Sequence, residues 1–141
     1  MAELSGYVLY GGILIAVGMQ VYSIMKIQEL YRKIKGVIQS RQDLLGVKEV
    51  ISLNMKLAVF YLVLAGLIVL TVIILIMQGM AGRGFGMLFI FGIVTLPVGL
   101  IGRHFEKKIK SLTVQSTDPE IAKILERYLV QWKEARFNLP D

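Results

Sequence analysis

Few residues in this chain are of a type that does chemistry, and their spacing restricts what they could do. His104 is the only histidine, and it follows Arg103 directly. A single imidazole could supply one axial ligand to a haem, with the second coming from another chain; a solvated histidine is the simpler reading. Arg83 is the only charged residue in the 46 residues from Leu57 to Gly102. Its guanidinium could pair with an acidic group of a partner or ligand. The surrounding Gly82-Arg-Gly-Phe-Gly86 has the composition of a phosphate-binding glycine loop. It follows no predicted strand and lacks the required spacing, so that assignment is not made. Gln20 is the deepest amide in an apolar run; Ser23, Thr71, Gln78 and Thr95, with Tyr10, Tyr22 and Tyr61, complete the polar groups of such runs. Their expected work is hydrogen bonding between helices, at about 0.6–2 kcal/mol each. There is no paired-carboxylate site, no Ser/His/Asp set and no metal-ligand spacing. The absence of cysteine excludes disulfides, iron–sulfur clusters and cysteine zinc sites. The sequence therefore predicts no catalytic residue, no metal and no cofactor.

The elements that position these residues are membrane spans. The 141 residues are 55% hydrophobic and 18% charged, against about 25% charged in an average soluble domain. Mean hydropathy is +0.65. Three runs carry no charge: Leu4 to Met25, Leu57 to Met80 and Gly84 to Gly102. Each can cross about 30 Å of hydrocarbon as a helix, and backbone groups in lipid must be satisfied within the segment. The first run lacks the basic flank and small-residue cleavage site of a signal peptide, so it is expected to be a permanent anchor.

Basic residues set the threading. None precedes the first span. Lys26, Arg32, Lys33, Lys35, Arg41, Lys48 and Lys56 lie in the first loop, and Arg83 alone in the second. Arg103, Lys107, Lys108, Lys110, Lys123, Arg127, Lys133 and Arg136 follow the third span. Positive charge marks the cytoplasmic side, which predicts N-out, C-in. Arg83 then sits at an outer hairpin, reaching water or headgroups. Gly79, Gly82, Gly84 and Gly86 there are expected to supply the positive φ of a tight turn.

Apolar spacing continues past Met25 through Ile27, Leu30, Tyr31, Ile34, Val37 and Ile38, which predicts a helical extension. Ser40-Arg-Gln-Asp43 suits a capping box for the next helix, and Leu44, Val47, Ile51 and Met55 lead into the second span. Gly36 and Gly46 weaken these arms. In the tail, Thr117-Asp-Pro-Glu120 fits a capping box with proline in the first turn. Ile121, Ile124, Leu125, Tyr128, Leu129 and Trp132 follow as one apolar stripe. From Asp118 to Arg136 four basic and four acidic residues balance. That balance favours burial of the stripe on protein, either the Ile27–Ile38 arm or another subunit, over an anionic lipid surface.

The expected architecture is an all-α integral membrane protein forming one domain, 1–141. Its spans lie at about 5–25, 57–80 and 85–102, with cytoplasmic arms over 26–56 and a tail helix over 118–136. Gly12, Ala16, Gln20, Ala65, Gly66, Thr95 and Gly99 are expected to pack helices, since small residues permit close backbone approach. Pro97 frees the Ile93 carbonyl and should kink the third helix. Lys26, Lys56, Arg83, Arg103, Lys107, Lys108 and Lys110 flank the spans and are expected to meet anionic headgroups. The net charge of +6 hugs the membrane in this way, which speaks against nucleic acid. These features point to a non-catalytic subunit of a larger membrane complex, or a self-assembling scaffold, in a bacterial inner membrane. Its partners would be other membrane subunits or itself. A small oligomeric pore or a lipid- or cofactor-binding carrier is the alternative.

Overall fold

The structure, a computed structural model, describes residues 2–134, 136 and 139. Three long helices, α1 (Ala2–Ile34), α2 (Arg41–Met77) and α3 (Ala81–Lys110), are each long and apolar enough to cross a membrane. The chain is a multi-pass membrane protein. At ~1.5 Å per residue α1 extends about 50 Å and α2 about 55 Å, well beyond the ~30 Å a bilayer requires. The excess lies at one end, because the charges of α1, apart from Glu3 in its first turn, follow Met25 and those of α2 precede Leu57. We call this the basic end, and the opposite one, carrying the N-terminus and Arg83, the hairpin end. Helix α3 runs unbroken through Pro97.

The α2–α3 connection is shorter than the glycine count suggests. Helix α2 ends in a Schellman turn in which Gly79 N–H donates to the Ile76 carbonyl (3.0 Å) and Met80 N–H to the Leu75 carbonyl (2.9 Å). Gly79 alone adopts a positive φ, 78°. Gly82, Gly84 and Gly86 are helical, and Arg83 lies in the first turn of α3 rather than in the loop. A single αL residue is enough to reverse the chain, so the later glycines are free for other uses. Gly84 takes one: a methyl group there would sit 3.3 Å from the Val72 side chain and carbonyl, so α2 and α3 approach closely at that point.

At the basic end, α1 stops at Ile34, earlier than its apolar spacing implies. Lys35 (φ 50°) and Gly36 (φ 79°) turn the chain, and Val37–Ile38 form a strand, β1. It pairs in parallel with β2 (Thr113–Val114), which follows α3. Thr113 N–H donates to the Gly36 carbonyl at 3.3 Å, and Gln115 N–H to that of Ile38 at 3.0 Å. Val37 and Ile38 fit a helical stripe locally, but pairing across the molecule and burial of Ile38 win. Ser40 then caps α2: its hydroxyl accepts from Asp43 N–H, and the Asp43 carboxylate accepts from Ser40 N–H. Gly46 is not merely a weak point. A methyl group there would come within 2.8 Å of Leu30, so its bareness lets α1 lie against α2.

Helix α4 spans Pro119–Lys133, and Ala135 lies outside the described residues. Its cap is Asp118 rather than Thr117. Proline at the first helical position holds Asp118 extended, and the Asp118 carboxylate accepts from Glu120 N–H at 2.9 Å.

Two apolar cores result. One, at the hairpin end, joins Leu9, Ile68, Val72, Leu75, Met87 and Phe91. The other, at the basic end, gathers Ile27, Leu30 and Ile34 of α1, Ile38, Leu44, Val47, Val50, Ile51 and Met55 of α2, Ile109, Leu112, and Ile121, Leu125 and Tyr128 of α4.

Candidate functional site

Between the two cores the helices part. A groove of about 470 Å³ runs along α1, α2 and α3 from Ala16, Leu62 and Thr95 to Arg103, Glu106 and Trp132. Thr95 and Glu106 are 11 residues apart on α3, about 16 Å along the helix axis. Small residues open it: a methyl group built on Gly99 would meet nothing within 4 Å. The inner wall is apolar apart from Thr95 and Tyr61, whose ring stacks near Phe91 with centroids 6.2 Å apart. The mouth is polar, with Gln20, Asn54, Arg103 and Glu106.

Each polar group at the mouth has a definite state. Ser23 is buried in α1 and donates to the Asn54 side-chain oxygen, while the Asn54 amide donates to the Val50 carbonyl at 3.0 Å. This is the bond that ties α1 to α2 here. Gln20, the expected bridging amide, makes no hydrogen bond among the described residues. It lies against α3 at Gly102, where a methyl group would overlap its amide nitrogen. Thr95 and Thr71 bond within their own helices, to the Phe91 and Leu67 carbonyls. The sequence reading missed Asn54 because it precedes the uncharged run. The signal was present: it continues the inward stripe of Val47, Val50 and Ile51. Glu106 is paired with Lys110, whereas Arg103 belongs to no ion pair among the described residues.

No known protein family, curated protein or solved structure matches this chain.

The remaining candidates divide by location. Gly12 and Ala16 lie on the buried face of α1, and a methyl group on Gly12 would meet Ile68 at 3.1 Å. Ala65 is half-buried, and Gly66 is exposed with open space over it. Arg83 borders a shallow cleft with Ser5, Leu9 and Tyr10 of α1. Lys26 pairs with Glu29 at 3.2 Å, while Lys56, Lys107 and His104 are exposed. Lys108 lies over the Tyr31 and Phe105 rings, and Lys110 over Trp132 at 5.2 Å, so both are engaged within the chain. The tail stripe is likewise engaged. Ile121, Leu125 and Tyr128 are buried in the basic-end core, with Ile124, Leu129 and Trp132 packed against it. The element they pack against is α2, through its Leu44–Met55 stretch, in a core to which Ile27, Leu30 and Ile34 of α1 also belong. Exposed Arg41 joins the two N-termini, 3.1 Å from Glu120 and 3.8 Å from Asp118.

Chemically this arrangement offers a slot with an apolar wall and, at its mouth, amides beside a guanidinium. It can hold an amphiphile.

Proposed function

We propose that the chain is a non-catalytic subunit of a larger membrane assembly, threaded N-out and C-in through a bacterial inner membrane. The observation that carries the assembly reading is a stripe on α1. Tyr7, Tyr10, Leu14, Gly18, Val21 and Met25 are all exposed. They recur at intervals of three and four residues, the spacing of a seam that one helix presents to another. Gly18 in mid-stripe allows backbones to approach, as membrane interfaces favour. The apolar face of α4 is occupied within the chain, which makes the spans and not the tail the surface for a partner. The threading rests on the positive-inside asymmetry, with Arg83 at one end and the other fifteen basic residues at the other.

Native mass measurement in mild detergent tests the assembly. A complex heavier than one chain is expected, and Leu14→Trp together with Gly18→Leu should disperse it. A wild-type chain that runs as a monomer carrying only lipid would overturn the reading. The threading is tested separately with an impermeant thiol reagent. Gly82→Cys should label in intact cells and Ser116→Cys only after lysis; labelling of Ser116→Cys in intact cells would reverse the topology.

A further inference from the structure

The groove between the two cores is a built feature that assembly through α1 does not use. The exposed stripe of α1 and the groove-lining residues Ala16, Val17 and Gln20 are different positions. We infer that this groove binds one anionic phospholipid, with its phosphate on Arg103 and one acyl chain laid along α1 and α3 toward Thr95.

Four observations lead there. The first is level. The uncharged run of α3 ends at Gly102, so Arg103 sits where hydrocarbon gives way to headgroups, and the wall from Gly99 to Thr95 lies among acyl chains. The second is charge. Glu106, the only carboxylate lining the groove among the described residues, is neutralised by Lys110, which leaves Arg103 as the uncompensated charge of the rim among them. A guanidinium fork matches phosphate oxygens in geometry as well as sign. The third is polarity at depth. Gln20, without a hydrogen bond among the described residues, offers donors and an acceptor just inside the phosphate level, where glycerol esters lie. The fourth is size: about 470 Å³ falls within the ~300–1,000 Å³ of small-molecule sites, and its lining runs about 16 Å along α3. A partner helix, about 10–12 Å across, would fill well over 470 Å³ along that length, whereas a single acyl chain is far slimmer.

Trp132, the only tryptophan, lines the mouth and reports on occupancy. The full chain is placed in zwitterionic nanodiscs and titrated with phosphatidylglycerol brominated high on its acyl chain. Quenching of Trp132 should saturate at a mole fraction about fivefold lower than with brominated phosphatidylcholine, the factor one interfacial charge supplies. Arg103→Gln should bring the two lipids together. Gly99→Leu, whose side chain enters open space, should abolish the saturable phase for both. Equal quenching by the two lipids in the wild type would overturn the site. So would a preference that survives Arg103→Gln, which would assign it to the general basic rim, or a saturable phase that survives Gly99→Leu. None of these outcomes depends on the mass of the assembly.

Discussion

At the hairpin end six buried side chains join three helices; at the basic end fourteen, from four helices, a strand and the α3–β2 connection, close a larger core. The two ends solve different problems. Lipid is as apolar as leucine, so spans gain nothing from hiding apolar surface and must be held by close packing. Gly12 against Ile68 and Gly84 against Val72 supply it. The basic end has charged outer faces, with Lys33, Glu49, Glu126 and Arg127 exposed, and there exclusion of water from apolar side chains does the work. Two further links hold it: the pairing of β1 with β2 and the capping of α2 by Ser40. Where neither mechanism operates, between the cores, the groove remains.

The comparison can be broken from either side. Leu125→Asp places an unpaired charge in the larger core and should cost more than about 3 kcal/mol locally. Trypsin should then cut rapidly at Lys123 and Arg127, with Trp132 emission shifting to the red, while the spans stay protected. Gly12→Leu acts on the other core by overpacking, with a cost of about 1–3 kcal/mol. It should lower the thermal midpoint in detergent without exposing α4 to trypsin. If either variant produced the other's signature, the two cores would be one cooperative unit. Gly36→Ala sharpens the basic end further. Its φ of 79° disfavours a side chain, and a methyl group would stand 2.9 Å from the Tyr31 hydroxyl. A loss of about 1–2 kcal/mol is expected, read as earlier unfolding of α4. Arg41→Ala should change least, at most about 1 kcal/mol and less in high salt, because its pairs with Asp118 and Glu120 are exposed.

What the sequence made legible follows the range of the interactions involved. The three long apolar helices are written in hydropathy, and the Ser40–Asp43 box and the stripe of α4 in residues a few positions apart. Non-local features were hidden. Val37 and Ile38 leave the helical stripe for a partner strand at Thr113–Val114, and nothing near them announces it. Gly79, Gly82, Gly84 and Gly86 were all expected to supply the positive φ of a tight turn, yet a Schellman turn at Gly79 needed only one such residue. In the candidate site, Thr95 and Gly99 were chosen as packing residues and line open space instead. Gln20 was expected to bridge helices, a role that Ser23 and Asn54 fill. Which polar group finds a partner depends on helix rotation and crossing, and these are fixed by contacts distant in sequence.

Amide hydrogen exchange on the intact protein in nanodiscs most directly tests the claim that the basic end is one core built from spans and tail together. The amides of Leu125 and Tyr128 in α4 should exchange as slowly as those of Val47 and Ile51 in α2, with Thr113 and Gln115 also protected by their bonds to β1 and its turn. Exchange of α4, Thr113 and Gln115 at the rate of an open chain, while α2 remains protected, would contradict it.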